Sequence, residues 1–213
     1  MNAAGVNANR LADDASALLD ACRIPSALAL AILAIEEAGK ISILRGLAVA
    51  ITDSEISNAW KKFRSHTSKN VMWMLPSLVA AGARKLEDFR PLFSNNSDHP
   101  YVLDQLKQIS FYTDCLGKGH WSVPGEVIEE SLARSMVATA KLTAGKPNHT
   151  EKEIALWIEH MGRAYASKDL DFMKHALTKW YAAMHANGLT TGDAKDMDQF
   201  ISEGILGPDD FPA

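Results

Sequence analysis

At 213 residues, with 22 Lys or Arg against 26 Asp or Glu and a net charge of −4, the chain lacks the basic excess of an all-over nucleic-acid binder. Its 47% hydrophobic and 23% charged content suits a soluble protein with a real core. Cys22 and Cys115 lack CxxC spacing, which excludes a disulfide framework or a cysteine zinc site.

The N-terminal stretch lacks a basic segment followed by an apolar one, so no signal peptide is expected. The longest apolar run, Ala27 to Ile35, is far shorter than the ~20 residues a membrane span needs. A cytoplasmic protein without membrane contact is expected.

Helical periodicity dominates from the start. Asn9 to Cys22 places Leu11, Ala15, Leu18, Leu19 and Cys22 on one face. Pro25 marks a break, and Ala27 to Ile51 reads as a long helix rich in Ala, Leu and Ile. Thr52 and Glu55 form a capping box. The helix they open is expected to run to about Ala81, with Ile56, Trp60, Phe63, Val71, Met74 and Leu78 on its apolar stripe. Pro76 is a kink or boundary within it, and Gly82 a stop. On this continuous helix Lys61, Lys62 and Lys69 point away from the stripe, and His66 sits at its border.

Lys85 to Leu106 is mixed, with a loop at 95–100. Residues 109–124, with aromatic and β-branched residues around Gly117-Lys118-Gly119, read as a short extended or hairpin-like segment. Helices follow over about Gly125–Leu142, Thr150–Ser167 (opened by the Thr150/Glu153 capping box) and Leu170–Asn187, then one short helix in the tail. The expected fold is all-α, a helical bundle forming one domain over 1–213.

The long second helix raises the functional question. At 100° per residue, Glu36 falls within about 20° of Ala29, Ile43 and Leu47, inside the apolar stripe. A lone buried carboxylate costs several kcal/mol or stays protonated. Lys40, one turn on, offers a pair that alone does not offset burial. Something cationic from another helix is therefore expected to face Glu36 and Glu37. The segment Lys61–Lys69, with Lys62, Arg64, His66 and Lys69, is the best source. Its bland alternative is a solvated basic face carrying a packing histidine.

These residues resemble a known family. Glu36, Glu37, Gly39 and Lys40 match its EE-x-GK; His66 and Lys69 match its H-x-x-K; Phe111, Tyr112, Asp114 and Pro124 match an aromatic-Tyr-x-Asp block before an Ala-rich helix. In order and spacing they resemble the AbiV-type abortive infection proteins of the HEPN superfamily over about 10–145, leaving 146–213 as unmatched C-terminal helices. The resemblance implies an all-α HEPN-like bundle, a homodimer, and a role in bacterial phage defence. Many HEPN proteins are metal-independent ribonucleases with an R-x4–6-H signature. Here no arginine has a histidine five to seven positions later, and Arg64 precedes His66 by two.

Two functions therefore stand side by side. In the first, the protein is an endoribonuclease or RNA-binding toxin needing neither metal nor cofactor. His66 is acid or base, Glu36 or Glu37 orients it or carries the other proton, and Lys40 and Lys69 hold the phosphate. Lys62, Arg64, Tyr112 and Asp114 are candidate binding residues around this site. In the second, the same cluster is a buried structural network and the protein docks on a phage or host factor. A di-iron bundle is excluded by the lack of any Glu-x-x-His, and a P-loop by the lack of a glycine-rich strand-to-helix turn.

Overall fold

The computed structural model describes residues 1–93, 98–115, 117, 119–167 and 169–204. Its contacts gather into two compact units: Met1–Ile43 with Lys61–Met74 and Asn96–Asn148, and Leu44–Trp60 with Leu75–Asn95 and His149–Ala213. The architecture is all-α, with one small hairpin among the described residues.

In the first unit α1 (Asn2–Asp20) packs on α7 (Glu130–Ala144), with α2 (Ile24–Ala48) contributing its N-terminal four-fifths, to Ile43. Leu11, Ala15 and Leu19 of α1 meet Leu28, Ile32 and Ile35 of α2, Leu103 of α5 (His99–Phe111), and Met136 and Ala140 of α7. The many alanines let the helices approach closely while the leucines and isoleucines fill the gaps. α1 begins earlier than its apolar pattern suggested. It ends with Cys22 at φ 57° and Arg23 N–H donating to Leu18 O at 2.8 Å, a Schellman closure without glycine.

The expected helix from Thr52 to Ala81 is corrected. α3 spans only Asp53–Arg64, and short 3-10 turns follow at Thr67–Lys69 and Met72–Met74, then α4 (Leu75–Ala80). The capping box is present: Glu55 Oε2 accepts from Thr52 N–H at 2.9 Å, and Thr52 Oγ1 accepts from Glu55 N–H at 3.2 Å. No proline or glycine stops α3. Ser65 Oγ instead accepts from Ser68 N–H at 3.3 Å and bonds Thr67 Oγ1, offering the backbone a turn in place of the helical ladder. The expected apolar stripe of α3 is corrected too, since Ile56 and Trp60 are both exposed.

α5 follows Asp98 with Pro100 in its first turn. It runs five residues past the mixed segment, so the extended stretch expected from Ile109 begins only after Phe111. Trp73 Nε1–H donates to Nδ1 and the carbonyl of His99, both at 3.1 Å, tying α5 to the preceding turn. The hairpin is as expected: β1 (Asp114–Cys115) pairs antiparallel with β2 (Trp121–Ser122). Loop residues 95–97 and Lys118 of the turn lie outside the described residues, as does the tail beyond 204. The helix expected from Gly125 is interrupted: α6 (Pro124–Val127) ends at Ile128, which is extended at φ −94°, ψ 115°, and α7 starts at Glu130.

In the second unit α8 (Glu151–Ser167) and α9 (Leu170–Ala186) form a helical hairpin with Val49, Trp157, Met161 and Ala176 between them. The Thr150/Glu153 capping box opens α8, and Asp169 caps α9 through Phe172 N–H at 2.9 Å. Arg45 stacks on Trp157 and Trp180, and burial lowers its guanidinium from the ordinary arginine value. α10 (Asp196–Ser202) completes this unit.

Candidate functional site

Glu36 lies on α2 among the core residues Ile32 and Ile35 and is only 3% exposed. Both of its oxygens are occupied. Oε1 accepts from Lys107 Nζ at 2.5 Å, and Oε2 accepts from His66 Nδ1 at 2.7 Å. Lys69 Nζ stands 3.8 Å from Oε2, an ion pair beyond hydrogen-bond reach. The cationic partners expected from a separate element thus come from two places, the turn after α3 and the middle of α5.

The break after Arg64 is what makes this possible. On a continuous helix Lys69 would point away from the core; in the turn Thr67–Lys69 it is buried, 7% exposed. That expectation is corrected. Gly39 explains the close approach. A Cβ there would lie 2.1 Å from the Lys69 carbonyl oxygen, so α2 accepts the turn only where it has no side chain. Burial pulls the Lys69 ammonium below the ordinary lysine value, an effect that Glu36 opposes.

Lys107 is buried as well, but its surroundings differ. Burial alone would lower it; the bonds to Asp104 and Glu36 outweigh that and hold it above the ordinary lysine value. Asp104 Oδ1 lies 2.8 Å from Lys107 Nζ as an ion pair. Glu36, His66 and Asp104 offer ligand atoms within 4.8 Å of one another, the kind of set that could hold a cation. Lys107 Nζ lies 2.5 Å from Glu36, 2.8 Å from Asp104 and 3.4 Å from His66 Nδ1, so its ammonium already occupies that position.

A carboxylate has no proton to give, so the proton in the bond to Glu36 is assigned to His66 Nδ1. In the neutral ring this leaves the lone pair on Nε2. The His66 side chain is 60% exposed while the carboxylate behind it is buried. A buried acceptor thus orients an accessible imidazole, the arrangement that supports proton transfer to or from a bound molecule.

The other sequence candidates lie elsewhere. Glu37 pairs with Lys40 on its own helix, not with a separate element, and Lys40 also sits 5.4 Å over the Phe63 ring. The Glu36–Lys40 pair that the spacing allowed is not formed. Lys62 and Arg64 are exposed on α3, and Tyr112 and Asp114 are exposed after α5. Among the described residues none of these four bonds to the Glu36 cluster. Sequence reasoning missed Lys107 and Asp104 because α5 was not recognised as a helix. The signal was present: Lys107 falls on the stripe of Leu103, Leu106 and Ser110, a lysine embedded among apolar positions just as Glu36 is.

Among the described residues, no helix is long and apolar enough to cross a membrane. No curated protein and no solved structure matches the chain. A family model does: HEPN_AbiV, described as AbiV, matches residues 1–144, from α1 to the end of α7. The match contains every member of the Glu36 cluster and covers more than half of the sequence. The chain therefore belongs to the AbiV family of HEPN proteins, which connects it with abortive-infection phage defence.

Proposed function

We propose that the protein acts in phage defence as a metal-independent endoribonuclease with His66 as its proton-transfer group. The observation that carries this is the bond from exposed His66 to the buried Glu36 carboxylate, at 2.7 Å, which leaves Nε2 as the working nitrogen. In RNA cleavage Nε2 would take the proton of a 2′-hydroxyl as that oxygen attacks phosphorus. The phosphorane gains negative charge, and the ammonium of Lys69 would offset it. The 5′ oxygen leaves with a proton drawn from water on the opposite side. The products are a 2′,3′-cyclic phosphate and a 5′-hydroxyl. RNA is therefore the proposed substrate, and a second copy of the chain, which the family resemblance implies, is the proposed partner.

The experiment is incubation of end-labelled RNA with purified protein in the presence of EDTA, with His66→Ala as control. Cyclic-phosphate ends formed by the wild type and lost in the variant support the proposal. The burial of Lys69 and Lys107 favours a second function, a non-catalytic protein that docks on a phage or host factor through a rigid bundle. In that case the wild type leaves RNA intact, and His66→Ala retains full phage protection.

A further inference from the structure

We infer that Lys107, braced by Asp104, is a positioning residue that keeps His66 neutral with Nε2 unprotonated, and so able to act as a base. The inference rests on the proposed use of His66 in proton transfer and adds what regulates it. The groups facing the imidazole come from three elements: Glu36 of α2, Lys69 of the turn after α3, and Asp104 and Lys107 of α5. The Glu37–Lys40 pair, further along α2, is balanced within itself. Two carboxylates thus face two ammoniums, and the charges balance while His66 is uncharged.

Removal of the Lys107 ammonium breaks that balance. Glu36 and Asp104 would face Lys69 alone, and the nearest group able to supply the missing charge is His66. As an imidazolium the ring carries protons on both nitrogens. If Glu36 became protonated instead, its carboxyl would donate to Nδ1 and the ring proton would sit on Nε2. Either route removes the lone pair that a base needs. Removal of the Asp104 charge acts in the opposite sense. It leaves the local charge more positive and disfavours a further proton on His66. A cation 3.4 Å from the ring and an anion 2.8 Å from that cation therefore have opposite effects on the same imidazole.

The test is 15N NMR of the labelled full-length protein, following His66 Nδ1 and Nε2 through a titration in the wild type, Lys107→Met, Asp104→Asn and Lys107→Arg. The wild-type neutral ring is expected as the Nδ1–H form. The midpoint of ring protonation should move up by about one pH unit or more in Lys107→Met and down in Asp104→Asn, and stay near wild type in Lys107→Arg. Shifts in the same direction, or none, overturn the inference. Should Lys107→Met fail to fold, Asp104→Asn decides alone: a downward shift supports the role and an unchanged midpoint overturns it. The pH–rate profile for RNA cleavage should follow the same displacements. Opposite NMR shifts in a protein that cuts no RNA would overturn the ribonuclease function and support the positioning role; RNA cleavage without the shifts would do the reverse.

Discussion

Replacing Gly39 by alanine separates two physical effects that pull in opposite directions. On helix propensity alone, Gly→Ala inside α2 should stabilise the protein by about 1 kcal/mol. The structure predicts the reverse. A Cβ at position 39 would lie 2.1 Å from the Lys69 carbonyl oxygen, 2.9 Å from its carbonyl carbon and 3.1 Å from its Cα. All three are backbone atoms, so no side-chain rotation relieves the contact. To restore an ordinary carbon–oxygen separation of about 3.3 Å the turn must retreat by about 1.2 Å. Overpacking of this kind costs about 1–3 kcal/mol; at the upper end, less the propensity gain, the net loss is about 2 kcal/mol. For a chain of this size that is a fall of about 4–8 °C in melting temperature. The same retreat would carry His66 Nδ1 beyond hydrogen-bond reach of Glu36. Gly46→Ala is the control, because the same helix leaves nothing within 4 Å of a Cβ there. It should gain stability by about 0.5–1 kcal/mol. Urea denaturation of the two variants beside the wild type is the assay. If Gly39→Ala proves as stable as Gly46→Ala, the close approach of α2 to the Lys69 turn is refuted.

The two buried lysines should differ under mutation. Lys107→Met leaves Glu36 and Asp104 poorly compensated and should cost about 3–5 kcal/mol, whereas Lys69→Met removes a loosely paired charge and should cost under about 1 kcal/mol; equal losses in urea would contradict the geometry. Their alkaline behaviour should also have opposite signs. Lys69 is lowered in the folded state, so between its folded value and the ordinary lysine value the unfolded chain binds more protons and stability rises with pH; Lys69→Met removes that rise. Lys107 is raised, so its contribution is full below the ordinary lysine value and is lost as pH climbs through the folded one; Lys107→Met removes that loss. Denaturation midpoints measured between about pH 9 and pH 11 distinguish the two slopes. His66→Ala, at a ring that is 60% exposed, should change stability by less than about 1 kcal/mol while lowering RNA cleavage by about 10²–10⁴-fold; loss of folding in this variant would show a structural role instead.

What the sequence made legible follows from which signals are local. Capping boxes at Thr52/Glu55 and Thr150/Glu153 are local and were readable directly, as was Glu36 inside an apolar stripe. The stop after Arg64 was not, because serine and threonine end a helix only when their hydroxyls turn back on the backbone, and the same residues are tolerated inside helices elsewhere. That one break reversed the placement of Lys69. α5 was hidden for another reason. Its stripe carries Lys107 where an apolar residue would complete the pattern, so the residue most informative about the site also weakened the helical signal around it. Conflicts between local pattern and tertiary role of this kind concentrate where a fold serves function.

Glu36, Gly39 and Lys40 are spaced i, i+3 and i+4 and therefore share one face of α2. Their roles are separable in the structure. Glu36 is the acceptor around which cations gather. Gly39 lets the backbone of the Lys69 turn come near enough for His66 to reach that acceptor. Lys40 is bound to Glu37 and neutralises the second acid on the same helix. A charge buried among isoleucines would ordinarily be replaced at little cost by an apolar residue. Here such a replacement would leave Lys69 and Lys107 as buried ammoniums, with Asp104 beside Lys107 and Glu37 acting on Lys69 without a direct bond. The four residues are thus bound together by electrostatic necessity, and a double replacement shows it. Glu36→Gln with Lys107→Met should be more stable than the sum of the two single losses predicts, by about 1–3 kcal/mol of coupling. Strict additivity in urea would mean that the buried carboxylate and ammonium do not depend on each other.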